Sequence, residues 1–358
     1  MGSSRKPRCE VHSGVSHAIR DAQIRLFVTP ASAVLPERNL VRGGRAMNWK
    51  AAAVSCLASL TMCGQALAWG QEGHAVIAEI AQHRLSQGAY DVIEQLLRSH
   101  LKLEPPATAS LASVASWPDD YRAENHKETS NWHFVDIPLA SKPGDASAGT
   151  TAYDPARDCK DDATFGFCLM KALPAQEKIL ADPKKSDEER WKALAFVIHL
   201  VGDLSQPLHC VERLDGNQGD QGGNTLTVTF NVSRPKPDGS TYRDLTTFHA
   251  VWDSSLILFK YYDWGKVALD LEADVIPNLA PLPAADQTPE KWLGACHGIA
   301  EDAYRALPKG TSIKSDNPHA VILDHAYFDK FSPIAVQQLA LGGLHLAAVL
   351  NETLAVDK

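Results

Sequence analysis

The strongest constraint on this chain is residues 188–209, an apolar run at helical spacing that carries His199 and Asp203 on one face. A helix apolar on nearly all sides has to be buried. An imidazole and a carboxylate taken inside with it then need partners there. His209 follows six residues after Asp203, beyond Gln206-Pro207. The same HxxxD spacing returns in Phe248-His249-Ala250-Val251-Trp252-Asp253. One such pair reads most simply as a buried histidine hydrogen-bonded to its neighbouring aspartate. Two of them among apolar neighbours, with His209 between, match what zinc takes from helices: imidazole and carboxylate ligands three or four residues apart.

The start of the chain adds a positional argument. Met47-Asn48-Trp49-Lys50 opens a basic segment, residues 51–60 are small and apolar, and Ala66-Leu67-Ala68 has the small-x-small pattern of a signal-peptidase site. We therefore expect 1–46 to be a mis-assigned, disordered extension, 47–68 a signal peptide and 69–358 the working domain. The apolar stretch is short for a membrane span and lacks a stop-transfer flank, so the expectation is a secreted or periplasmic protein without an anchor. Cleavage would make Trp69 the first residue. Its free amino group and carbonyl can chelate a metal, with His74 one turn away. The removed part holds nine basic and three acidic residues, which takes the net charge from −8 to −14. Such a surface repels a free polyanion, which excludes nucleic-acid binding through a broad basic face. Affinity would have to come from bound cations or a local pocket.

Helical periodicity recurs over 73–86, 90–101, 111–121, 163–181, 188–209, 245–259, 288–307 and 334–354. Residues 225–232 alternate as a strand, turned back by Pro237-Asp238-Gly239, and 139–158 and 308–320 read as surface loops. No linker divides residues 69–358, so the expected fold is a mainly α, single-domain, multi-helix unit with a small β-hairpin. Cys159, Cys168, Cys210 and Cys296 remain after cleavage. An even count in an exported chain suggests two disulfides in no fixed pairing, and the lack of CxxC spacing argues against a thiolate zinc site. Asn231-Val232-Ser233 and Asn351-Glu352-Thr353 are glycan acceptor patterns that also arise by chance.

Two further segments carry candidate ligands. Asp119 in Ser116-Trp117-Pro118-Asp119 has Arg122 one turn later, a pair that also fits a helix cap with a solvated arginine. His133 lies in Asn131-Trp132-His133-Phe134-Val135-Asp136, which also reads as a core strand.

The order W-G-x-x-G-H, W-P-D-x-x-R, W-H-F-V-D, H-x-x-x-D-x-x-x-x-x-H, G-D-x-G-G-N and F-H-x-V-W-D resembles the three-zinc, single-strand-specific nucleases of fungi, plants and bacteria. Their superfamily also contains zinc phospholipase C, and the resemblance spans nearly all of 69–358. It implies a phospholipase C/nuclease-type fold and three Zn²⁺. Asp119, His133, His199 and Asp203 would hold one ion, and Trp69, His74 and the bridging Asp203 a second. His209, His249 and Asp253 would hold the third. It further implies a metal-activated water as nucleophile, oriented by Asp119, and Arg122 bracing the phosphoryl oxygens. Phe134 would stack the base and Asp136 bind its edge. The implied activity is an endonuclease and 3′-nucleotidase giving 5′-nucleotides from single-stranded DNA and RNA, working as a monomer with no stable protein partner. Two alternatives stand beside it, a zinc phospholipase C and a non-catalytic exported zinc-binding protein. The chain departs from the pattern at His345, where the family's last helix carries arginine. Cys159 and Cys168 match the family's disulfide loop only loosely. His83, His100, His126, His297, His319, His325 and His345 match no ligand motif and read as surface or satisfied core histidines.

Overall fold

Ala75, Val76, Ile77, Ala78, Ile80 and Ala81 leave helix α1 (Gln71–Gln82) almost no polar side, and all are buried. A helix of that kind persists only with others packed round it. In the computed structural model, which describes residues 69–140, 142, 151–216, 218–230, 244–258, 263–279, 287–312 and 321–355, α1 runs against the last helix, α11 (His325–Thr353), and touches α6 (Asp187–Asp203). The extension 1–46, the segment 47–68, the Pro237-Asp238-Gly239 turn, the Asn231 pattern and His319 lie outside these residues.

Between α1 and α6 come α2 (Gln87–Leu101), α3 (Trp117–Ala123), α4 (Pro155–Asp158) and α5 (Leu169–Ala181). Ser186 and Glu189 close a reciprocal capping box at the start of α6, which fixes where the buried helix begins. After it follow α7 (Phe248–Ala250), α8 (Leu256–Leu258), α9 (Trp264–Asp270) and α10 (Pro289–Arg305). The fold is mainly α, as the periodicity predicts. Among the described residues the strands are short: β1 (Leu214–Asp215) pairs with β2 (Gln218–Gly219), and β3 (Thr227–Phe230) lies between β4 (Asp244–Thr247) and β5 (Ile322–Leu323). β4 is antiparallel to β3, with Thr227 opposite Thr247, and β5 is parallel to it.

Several boundaries differ from the sequence reading, each for a local reason. The helix expected from 163 starts at Leu169, because the Cys159–Cys168 disulfide and a turn on Asp162 occupy the preceding residues. The segment 111–121 divides into a 3₁₀ turn (Leu111–Val114) and α3, which restarts with Pro118 in its first turn. The run 188–209 breaks at Asp203, and Pro207 begins a separate 3₁₀ turn, Pro207–Cys210. Leu245 belongs to strand β4 rather than to a helix, since pairing with β3 claims it; Thr247 then caps α7. The last helix begins at His325 rather than 334 and continues through Pro333. Asn351 spends both ends of its amide on main chain, accepting from Ser86 N–H and donating to Arg84 O, which reads as a clamp between helices rather than an open glycan acceptor.

Candidate active site

Helix α6 delivers His199 and Asp203 from a fully buried stretch, and Gly202 lets that stretch press against α1. A Cβ at Gly202 would stand 2.6 Å from His74 Nδ1. The 3₁₀ turn Lys127–His133 brings in His133, α3 brings Asp119, and the turn after α6 brings His209. His249 and Asp253 come from α7 and a π turn (Val251–Ser255) that follows it, a wide turn of the kind found at functional sites. All eight side chains are buried together.

Their polar atoms converge. His199 Nε2 lies 3.1 Å from His133 Nδ1, 3.4 Å from Asp203 Oδ2 and 3.7 Å from Asp119 Oδ2. His209 Nε2 lies 3.1 Å from His249 Nε2, which is 3.5 Å from Asp253 Oδ1. Ligands about 2.0–2.1 Å from a tetrahedral ion stand roughly 3.3 Å apart, so these spacings suit a shared cation. Three sets of potential ligand atoms each fall within 4.8 Å of one another: His74, His199 and Asp203; Asp119, His133 and His199; His209, His249 and Asp253. Asp203 divides its oxygens between the first two sets. Oδ2 is 3.1 Å from His133 Nδ1, and Oδ1 is 3.4 Å from His74 Nε2.

Outer contacts fix which imidazole nitrogen faces inward. Nδ1 of His199, His209 and His249 lies on the carbonyls of Ala115 (2.8 Å), His133 (2.6 Å) and Gly222 (2.8 Å). Each ring therefore turns Nε2 toward its cluster. Burial drives the electrostatics. It lowers the pKa of His74, His133, His199 and His209, and takes His249 to about 4, leaving neutral rings with free lone pairs. It raises Asp119, and raises Asp203 and Asp253 well above the ordinary carboxylate value. Neither nitrogen of His74, nor Asp203 Oδ1, has a hydrogen bond. Such orphaned buried atoms cost roughly 1–3 kcal/mol each, and the donor set of imidazole plus carboxylate is what a dication relieves. The residues present fit metal.

Trp69 is buried, its indole N–H donating to Ser205 Oγ at 2.9 Å. Gly70 N–H donates to the carbonyl of Asp253 at 2.9 Å, so residue 69 is held beside a candidate ligand. Arg122 reaches Asp119 Oδ1 at 3.1 Å and opens onto a cavity of about 580 Å³ whose floor is His133, His209 and His249. Phe134 and Asp136 line the same cavity.

A family-wide sequence model described as S1/P1 Nuclease matches residues 69–355. The chain belongs to the S1/P1 nuclease family. Endonuclease 2 of Arabidopsis thaliana is 29% identical over 303 residues, covering 79% of this chain and 89% of that protein. Nuclease PA3 of a Penicillium species is 32% identical over 292 residues, covering 79% and 97%. Nuclease S1 of Aspergillus oryzae is 27% identical over 305 residues, covering 82% and 94%. Membership decides among the three sequence readings for the nuclease, a hydrolase of phosphodiester bonds.

Within this S1/P1 site the structure adds residues that the sequence reading passed over. Gln206, fully buried, donates from Nε2 to Asp253 Oδ1 at 2.6 Å, and so orients a candidate ligand. The signal available was an amide inside the apolar run between α6 and His209. Glu212 accepts from the N–H groups of Gln221 and Gly222, each at 3.2 Å, and Gly219 leaves no room for a Cβ beside its carboxylate. It thereby pins the loop whose Gly222 carbonyl holds His249. Burial pushes Glu212 up to about 8. The cavity walls, with Asp158 and Asp220, also raise Asp136, a pull moderated by the opening of its side chain onto the cavity. Among the described histidines outside the clusters, the buried Nε2 atoms of His297 and His345 have no hydrogen-bond partner, so these two depart from the expected satisfied core histidine. His297 bonds Cys210 O, His345 stacks on Trp292, and His100 stacks on Trp191.

Proposed function

We propose that this S1/P1 nuclease is an exported, zinc-dependent endonuclease and 3′-nucleotidase that cuts single-stranded DNA and RNA to 5′-nucleotides. The observation that carries the reading is the division of the buried Asp203 carboxylate between two imidazole groups, one of which, His133, also lines the cavity of Phe134 and Asp136. Three Zn²⁺ are assigned: one to Asp119, His133, His199 and Asp203, one to the Trp69 amino end, His74 and Asp203, and one to His209, His249 and Asp253. When bound, such ions supply Lewis acidity and bring the pKa of water down toward neutrality.

The protein's own groups do the positioning. Asp119, fixed by Arg122, is placed to accept a proton from the attacking water, and the outer face of the Arg122 guanidinium is placed to donate to phosphoryl oxygens. Phe134 offers a ring for a base and Asp136 an acceptor for its edge. A base lying on Phe134 has left any duplex, which explains single-strand selectivity without sequence readout. The disulfides Cys159–Cys168 and Cys210–Cys296 suit an oxidising compartment, in keeping with export.

The test is hydrolysis of single-stranded DNA, single-stranded RNA, duplex DNA and a choline phospholipid, each with and without chelator. Metal analysis and N-terminal sequencing of the exported protein accompany it. The expected result is chelator-sensitive cleavage of both single strands, three zinc per chain and Trp69 first. Cleavage of phospholipid instead, or full activity after metal removal, would overturn the proposal. A first residue other than Trp69 would remove the second ion from it.

A further inference from the structure

Phe165 is a large apolar side chain left 44% exposed, and it lines the same cavity as Phe134. Its main chain is fixed from several directions. Asp162 and Gly166 exchange backbone hydrogen bonds, each at 2.9 Å, and Asp162 Oδ1 accepts from the N–H groups of Thr164 (2.7 Å) and Phe165 (2.8 Å). The Cys159–Cys168 disulfide closes the ring around this turn. Gly166 has φ +86°, and a Cβ there would run into the Glu128 carbonyl and stand 2.8 Å from the Trp132 indole nitrogen, so the turn sits flush on the 3₁₀ segment Lys127–His133. Asn131 N–H donates to the Phe165 carbonyl at 2.9 Å, and Leu169 N–H donates to the Phe134 carbonyl at 3.2 Å. The segments carrying the two phenylalanines are thus laced together, and the 3₁₀ segment on which the Phe165 turn rests ends in the candidate ligand His133.

A hydrophobe that could have been folded inward is instead held in water beside the nucleotide cavity by a purpose-built turn. Preorganised, it offers a stacking face at little ordering cost. Lys127, exposed at the start of the 3₁₀ segment, lines the same cavity and offers a cation next to that face. We propose that Phe165 and Lys127 form a second nucleotide subsite, in which Phe165 stacks the base of a neighbouring nucleotide in the strand and Lys127 meets its phosphate. The inference rests on the nuclease reading of the cavity. It makes this chain favour strands over mononucleotides.

The test compares kcat/KM for a short single-stranded oligonucleotide with kcat/KM for a 3′-mononucleotide, using metal-loaded wild type, Phe165→Ala, Phe165→Trp and Lys127→Gln. Loss of one stacked base should lower the oligonucleotide-to-mononucleotide ratio of Phe165→Ala by about tenfold, mainly through KM. Phe165→Trp should restore it. Lys127→Gln should reduce the slope of log KM against log salt by about one for the oligonucleotide. Metal content and Tm are measured for each variant, and a ratio is insensitive to the fraction folded. An unchanged ratio in Phe165→Ala, whether both substrates suffer equally or neither does, overturns the subsite while leaving the nuclease reading intact. Failure of wild type to cut either substrate would instead sink the nuclease reading.

Discussion

Asp203 is the residue on which the centre turns, because its two oxygens face different imidazoles and no lysine or arginine among the described residues pairs with it. Asp203→Asn keeps the size but removes the charge that two ions would share, and His199→Ala removes a ring common to two ligand sets. Both substitutions are expected to cut turnover by roughly a hundredfold or more and to lower bound zinc, read by steady-state kinetics and atomic spectroscopy. Phe134→Ala should keep its zinc and raise KM by roughly ten- to a hundredfold, the loss of one stacked base. Equal activity in all three would refute the ligand assignment. Gln206→Ala is the finer probe. It leaves the Asp253 carboxylate without its amide donor, so affinity at the His209, His249 and Asp253 set should fall by about tenfold in competition with a chromogenic chelator, the other two sets being retained. The His199–Asp203 and His249–Asp253 pairs were legible as candidate ligands because helical spacing places side chains four apart on one face. Gln206, Glu212 and Phe165 were not, since each acts from a turn where no period says which way a side chain points.

At the scale of elements, the site is built from helix ends rather than helix middles. Helix α6 stops at Asp203, the next turn supplies His209, and Cys210–Cys296 ties that turn to α10. Opposite them the loop 219–224 is shaped by Glu212 and by Gly222, whose φ is +58° and whose missing Cβ would collide with the Leu208 carbonyl. Gly222→Ala therefore meets both backbone strain and a clash, and it displaces the carbonyl on His249 Nδ1. We expect a loss of about 2–4 kcal/mol in chemical unfolding and a zinc content lowered toward two per chain; wild-type stability would show that the loop does not set the His249 ring. The long helices were readable from periodicity, and α10 matches its expected span closely. The errors cluster where tertiary pairing overrides local pattern: β4 pulled out of a helical run by β3, α11 carried through Pro333 by its burial against α1, and 163–168 withheld from α5 by a disulfide turn.

Across the whole molecule, the titration of the buried centre bears on stability, and any ion it takes up would compete with protons there. Without ions, burial holds the carboxyls of Asp203 and Asp253 well above their ordinary pKa. They add stability below the ordinary carboxylate pKa that is lost as pH rises through their raised values. His249 acts in the opposite direction. Its contribution is present above about 6.5 and is lost as pH falls toward about 4. Ion binding requires both kinds of group to be proton-free, so affinity must decline as pH falls, whichever group titrates first. Zinc added to stripped protein near pH 6 should therefore release protons into a weakly buffered solution. The difference in Tm between loaded and stripped protein should be about 10 °C or more at pH 7, since an ion held at a thousandfold excess over its Kd stabilises the folded state by about 4 kcal/mol. That difference should shrink at pH 5. Scanning calorimetry of both forms at the two pH values checks the sign. An equal difference at pH 5 and pH 7 would mean that the buried imidazoles and carboxylates are not the groups that hold the metal.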